Sequence, residues 1–136
     1  MSNTIFSDDA FRAASLALKG LSARQQVISS NIANVDTPGY SSKQLDFEST
    51  LKRTLNQTNS KIAMAKTANG HLDSYSTVAT LFNTTNRIGG TYREDGNNVD
   101  IDTELIDMSE TNIKYQAISQ GISSKLLLLK SIAQGG

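Results

Sequence analysis

Apolar residues in the first quarter of the chain recur at alternating intervals of three and four: Phe11, Ala14, Leu18, Leu21, Ile28, Ile32 and Val35, with Gln25 the polar member of the series. On a helix of about 3.6 residues per turn these positions fall along one stripe, so the spacing predicts a long helix with a heptad seam over residues 8–34. Ser7 supplies an N-cap oxygen, and Asp8 and Asp9 put negative charge beside the unpaired amides of the first turn. At roughly 1.5 Å per residue such a helix is close to 40 Å long.

The same stepping returns at the other end through Ile101, Leu105, Met108, Asn112, Tyr115, Ser119, Ile122, Leu126, Leu129 and Ala133, and predicts a second long helix over residues 102–134. Asp102 is expected as its N-cap, with Ile101 and Ile106 forming a hydrophobic staple across the cap. Two seams with polar flanks favour coiled-coil pairing, with Leu18, Leu21, Ile28 and Ile32 set against Ile122, Leu126 and Leu129.

Residues 35–99 read as a turn, a short helix and a polar loop. Pro38 is the only proline and Gly39 follows it. Proline pre-sets φ for the second position of a turn and glycine accepts the positive φ of a type II third position, so the first helix stops near Asn34 and the chain turns sharply. Asp46 then caps a short amphipathic stretch in which Phe47, Leu51 and Leu55 recur every four residues. Beyond it the pattern dissolves into Asn, Ser, Thr and Gly. Weak alternation from Thr77 to Phe82 leaves room for one short hairpin, and Asp95-Gly96 reads as a turn. The expectation is a mainly α single domain with paired terminal helices and an irregular, loop-rich middle.

Composition narrows the function. The 136 residues carry 13 basic and 13 acidic side chains, so no basic excess exists to neutralise phosphates. Hydrophobic residues make up 38% of the chain, a thin supply for a core of this length. With no cysteine, disulfides, cysteine-ligated metals and thiol chemistry are excluded. No apolar run approaches the roughly 18 residues that span a bilayer, and charged residues interrupt the stretch where a cleaved signal peptide would need its apolar segment.

Catalytic constellations are missing too. His71 is the only histidine and sits in the most polar part of the chain; no nucleophile elbow, P-loop or dinucleotide-binding pattern occurs. The acidic run Glu94, Asp95, Asp100, Asp102 and Glu104 invites a calcium reading, but aligning Gly96 with the loop glycine puts Thr91 and Arg93 at ligand positions, so capping and a solvated turn explain it better. Neither an enzyme nor a cofactor or metal site is expected.

The stretch from Ser30 to Tyr40, Ser-Asn-Ile-Ala-Asn-Val-Asp-Thr-Pro-Gly-Tyr, closes the predicted first helix and resembles the signature of the flagellar basal-body rod and hook family. Its motif residues are Asn31, Ala33, Asn34, Asp36, Thr37, Pro38, Gly39 and Tyr40. Leu45-Asp46-Phe47, the Asn98 to Asp102 segment, Lys114-Tyr115-Gln116 and the closing Gln134-Gly135-Gly136 extend the likeness to the short proximal-rod members. The resemblance implies a structural subunit that self-assembles into the helical rod with FlgC-like and FlgF-like subunits, near FliE and the export gate. It implies a periplasmic basal-body location, reached through type III export without a cleaved signal. It also implies that Leu18, Leu21, Ile28, Ile32, Leu105, Met108, Tyr115, Ile122, Leu126 and Leu129 serve helix pairing and assembly, with no nucleic acid or small-molecule substrate involved. The alternative reading is a cytoplasmic helical adaptor or chaperone-like module that grips one partner with the same heptads.

Overall fold

A computed structural model describes residues 9–56 and 82–135. Helix α1 runs Asp9–Ala33, strand β1 Lys43–Leu45, helix α2 Glu48–Asn56, strand β2 Thr84–Asn86 and helix α3 Ile101–Gln134. Among the described residues the fold is mainly helical. Ser7, Asp8, His71, the segment Thr77 to Leu81 and the Leu55 side chain lie outside the described residues.

The helices α1 and α3 lie side by side and antiparallel. Hydrogen bonds across them set the register: the Gln25 amide donates to Asn112 Oδ1 and the Asn31 amide to Glu104 Oε1, so residues later in α1 meet residues earlier in α3. Leu21 packs in a cluster with Ala17, Leu45, Phe47 and Phe82, and half-buried Tyr115 and Ile118 close it from the α3 side. This register corrects the expected facing. Ile28 and Ile32 lie at the end of α1 that meets the start of α3, whereas Ile122 borders a depression lined by Ala10, Phe11 and Ala14.

The α3 seam itself is displaced by one residue at Leu105 and at Leu126. Met108, Tyr115, Ser119, Ile122 and Leu129 are half-buried as expected and Asn112 reaches Gln25 across the seam, but Glu104 and Thr111 are buried and Ile118 and Lys125 half-buried, while Leu105 and Leu126 stay exposed. Leu105 and Leu126 are 51% and 41% exposed. Both readings share the 108–115–122–129 column and differ only in the side from which the partner helix approaches. Apolarity favours Leu105 over Glu104; the structure chooses Glu104 because Asn31 and Arg87 reach its carboxylate.

The arm between the helices folds back on α1. The strands β1 and β2 pair antiparallel, Lys43 opposite Asn86 and Leu45 opposite Thr84, so the short sheet joins segments about forty positions apart. Asp46 caps α2 as expected, its carboxylate accepting the Ser49 amide at 3.2 Å, a bond that holds its pKa below the ordinary aspartate value. Phe47 drops its ring onto Gly20 in α1, meets Phe82 edge to face with centroids 6.4 Å apart, and lies under the Arg24 guanidinium at 4.7 Å. Arg24 also donates to the Leu45 carbonyl and pairs with Glu48, tying the arm to the helix at a second point.

The cap of α3 also differs from expectation. Asp100, in extended conformation, accepts the amides of Asp102 and Thr103, and these bonds lower its pKa; Asp102 is inside the first turn. With the cap two residues earlier, Ile101 is the first helical residue and Ile101 and Ile106 are exposed, so no staple forms across them. Val99, before the cap, is buried instead.

Candidate functional site

At the C-terminal end of α1 the family-like motif meets the segment that precedes α3, and the contact is almost wholly polar. Asn31 is fully buried and uses its amide completely. Its Nδ2 donates to the Lys43 carbonyl at 2.7 Å and to Glu104 at 3.0 Å, while its Oδ1 accepts the Lys43 amide at 2.9 Å and the Tyr40 hydroxyl at 3.1 Å. One side chain thus satisfies both main-chain groups of Lys43 and pins β1 to α1, in a place where an unpaired amide would be costly.

The first helix ends at the turn its sequence predicts. The Tyr40 amide donates to the Thr37 carbonyl at 3.2 Å and Gly39 has φ of 70°, so Thr37-Pro38-Gly39-Tyr40 is a turn of the type II kind. Asn34 folds back on the helix, donating to the Ser30 carbonyl and accepting from the Thr37 hydroxyl. A second turn, Arg93 to Gly96, closes against the first: Gly96 has φ of 80°, the Gly39 amide donates to the Asp95 carbonyl at 2.8 Å, and a Cβ on Gly96 would sit 3.6 Å from Gly39 Cα. A Cβ on Gly39 would meet nothing, so Gly39→Val is expected to cost only backbone strain, about 1–3 kcal/mol, read as a lower urea midpoint with unchanged slope.

Asn97 locks the two turns together. It is fully buried, and its Nδ2 lies 2.8 to 3.1 Å from the carbonyls of Asn34, Val35 and Thr37, three main-chain acceptors of the turn that follows α1. Its Oδ1 accepts the Val99 amide, and neighbouring Asn98 accepts the Ser42 amide at 2.7 Å. Motif residues therefore divide into two groups. Asn31, Asn34, Thr37, Gly39 and Tyr40 hold the junction, whereas Ala33, Asp36 and Pro38 face solvent, with Asp36 only 3.9 Å from Arg93.

Sequence reasoning missed Arg87, Asn97, Asn98 and Ser42 as members of this junction. The signal available was Asn97-Asn98 directly before the α3 cap, since asparagine is the residue that most readily bonds main-chain groups in turns.

Glu104 is the one buried carboxylate in the junction. Arg87 Nη2 lies 3.6 Å from it and 2.7 Å from Asp107, so the guanidinium serves both acids, and Glu104 Oε2 has no protein partner. Burial pushes its pKa up; the Asn31 amide and Arg87 pull it down, and Asp107 and Asp100 add to the rise. The folded state therefore binds this proton at a pH where the unfolded chain has lost it, and stability falls as pH rises from the ordinary glutamate value of about 4.3 through the raised one. Asp46 and Asp100, whose pKa values are lowered, act oppositely and withdraw stability below about pH 4. Urea titrations across this range should show Glu104→Gln flattening the upper limb and leaving the acid limb in place; an unchanged upper limb would refute the assignment.

No group here is arranged for catalysis, and among the described residues no cluster of three or more histidines, cysteines or carboxylates could hold a metal. Asp95 spends its carboxylate on the Asn97 amide and Asp100 on the α3 cap. What the arrangement offers is a rigid brace at one end of a two-helix rod and large aliphatic side chains of α3 left in solvent. No helix among the described residues is long and apolar enough to cross a membrane.

A family model described as "Flagella basal body rod protein" matches residues 11–40, which are α1 and the turn after it. The similarity to individual proteins runs much further. The chain is 35% identical over 127 residues to the flagellar basal body rod protein FlgB of Bacillus subtilis (strain 168), covering 88% of this chain and 89% of the relative. It is 36% identical over 118 residues to FlgB of Buchnera aphidicola subsp. Acyrthosiphon pisum, covering 84% and 89%. It is 30% identical over 132 residues to FlgB of Salmonella typhimurium, covering 95% and 96%.

Proposed function

The chain belongs to the FlgB family of flagellar basal body rod proteins, and from that premise we propose how its parts serve the rod. It is a structural subunit of the bacterial flagellar rod, not an enzyme, and it assembles with other basal body rod components. The adaptor reading is not favoured, because similarity to one kind of rod protein runs nearly the whole length of the chain.

The finer reading is our own. The subunit occupies the proximal rod in the periplasm, arrives through the flagellar export gate without a cleaved signal, and contacts FliE and FlgC-like and FlgF-like neighbours. Within it Leu21, Ile28, Tyr115 and Ile122 hold α1 to α3, while Leu105 and Leu126, left in solvent, serve assembly. The junction built by Asn31, Asn97 and Glu104 sets the angle at which the arm leaves the helices, so that every copy presents the same outline to a lattice. Helical assemblies require such repeated heterologous contacts.

The observation that supports this most is the FlgB similarity spanning 95% of the chain. Deleting the gene and restoring it with a tagged copy tests it: the tagged chain should co-purify with basal bodies and restore swimming. A chain that stays in the cytoplasm of a deletion strain that swims normally would overturn the reading.

A further inference from the structure

Among the described residues four buried side-chain polar atoms have no protein partner: Ser42 Oγ, Arg87 Nε, Asn98 Nδ2 and Glu104 Oε2. All four belong to the junction, and their residues are already tied to one another through other atoms. Ser42 donates its amide to Asn98 Oδ1 at 2.7 Å and accepts the Arg87 amide on its carbonyl at 2.8 Å. Arg87 Nη2 stands 3.6 Å from Glu104 Oε1, too far for a direct hydrogen bond. Ser42, Asn98 and Glu104 are 1%, 5% and 1% exposed, so bulk solvent does not reach them.

We infer that the junction is a water-binding site: one internal molecule bridges Glu104 Oε2 and Arg87 Nε, and a second joins Ser42 Oγ to Asn98 Nδ2. The chemistry of the set selects water. Ionised Glu104 Oε2 can only accept, Arg87 Nε and Asn98 Nδ2 can only donate, and Ser42 Oγ does either. A metal ion would meet N–H donors and a guanidinium where it needs oxygen lone pairs. An anion would face the carboxylates of Glu104 and Asp107, which already share Arg87. Water both donates and accepts, and with about 2.8 Å on each side it closes gaps that the side chains leave between themselves. Those side chains are not free to close the gaps directly. The Asn98 amide is fixed by the Ser42 bond to its Oδ1, and Arg87 cannot swing toward Glu104 without leaving Asp107, which it meets at 2.7 Å. Four unpaired buried atoms cost more than two immobilised waters. With these molecules bound, the brace between the arm and the helices is complete in a single chain, before it meets any partner. The site belongs to the folded chain and stands apart from the rod reading.

Oxygen-17 relaxation dispersion of water detects molecules held inside a protein for longer than it takes to tumble, and it tests the site on the purified chain. Ser42→Ala leaves Asn98 Nδ2 as the one remaining partner of its water, where an internal water needs two to four, so the dispersion amplitude should fall by about one molecule. Glu104→Met keeps the length of the side chain without its acceptor and should also lose about one molecule. Glu104→Gln still offers a polar atom at the same place and should keep the wild-type amplitude. Circular dichroism melts establish that each variant is folded. An unchanged amplitude in folded Ser42→Ala and Glu104→Met would overturn the site. Should Glu104→Met fail to fold, a crystal structure of the wild-type chain decides the first water: solvent density bridging Glu104 Oε2 and Arg87 Nε supports it, and a direct bond between those atoms refutes it.

Discussion

Replacing Leu21 with Asp is expected to unfold the chain and eliminate its incorporation into the rod. Leu21 has no solvent exposure and stands where α1, β1, α2 and α3 converge, against Ala17, Leu45, Phe47 and Phe82. Truncating such a leucine to alanine costs about 2–5 kcal/mol, and a carboxylate without a partner in the same place adds several more. Against a typical domain stability of about 5–15 kcal/mol, and with only seven apolar residues buried among those described, little reserve is left. Far-ultraviolet circular dichroism and a urea titration of the purified variant should show the loss, and swimming should stop. Leu126→Asp is the informative comparison. That side chain is 41% exposed, so the variant should fold with a stability change within about 1 kcal/mol, and any motility it loses then reports on assembly. Wild-type stability in Leu21→Asp would refute the core described here.

Gly20→Val should be nearly as damaging, by overpacking. Glycine inside a helix ordinarily costs about 1 kcal/mol relative to alanine, so on propensity alone a side chain there should help. Here a Cβ would lie 2.6 Å from two ring atoms of Phe47 and 2.8 Å from its Cβ. The last distance decides the sign, because a clash with the root of a side chain is not relieved by turning the ring. Phe47 would have to move with the start of α2, giving up its edge-to-face contact with Phe82 and its place under Arg24. Overpacking of this kind costs about 1–3 kcal/mol, and valine adds two methyl groups to the same contact. Gly20→Ala should show a smaller loss of the same sign by thermal melting; a stabilised Gly20→Ala would mean that Phe47 does not rest on α1.

The two long helices, the turn at Pro38-Gly39 and the cap at Asp46 were legible in the chain because each depends on neighbours a few residues away. Heptad spacing is visible within one helix, proline restricts its own φ, and an aspartate accepts amides two or three residues on. The same locality explains the errors. Asp100 and Asp102 are equally good cap residues by type, and what separates them is the burial of Val99 just before the helix. The strand pair escaped notice because Lys43–Leu45 and Thr84–Asn86 are three residues each, too short for alternation to register, and their partners lie about forty positions apart.

By itself, then, the sequence determined the helical class, the approximate ends of α1 and α3, the positive φ at Gly39 and the column Met108, Tyr115, Ile122, Leu129, all set by local spacing and backbone sterics. Its signature from Ser30 to Tyr40 also pointed to the rod family. Tertiary structure alone decided which neighbour of that column faces α1. A buried glutamate is admissible there only because Asn31, from α1, and Arg87, from beyond β2, converge on it, and no local pattern encodes a convergence of residues 73 and 17 positions away. The junction through Asn97 has the same origin: its amide reaches carbonyls about sixty residues earlier, and the free energy of that contact exists only once the two segments have been brought together.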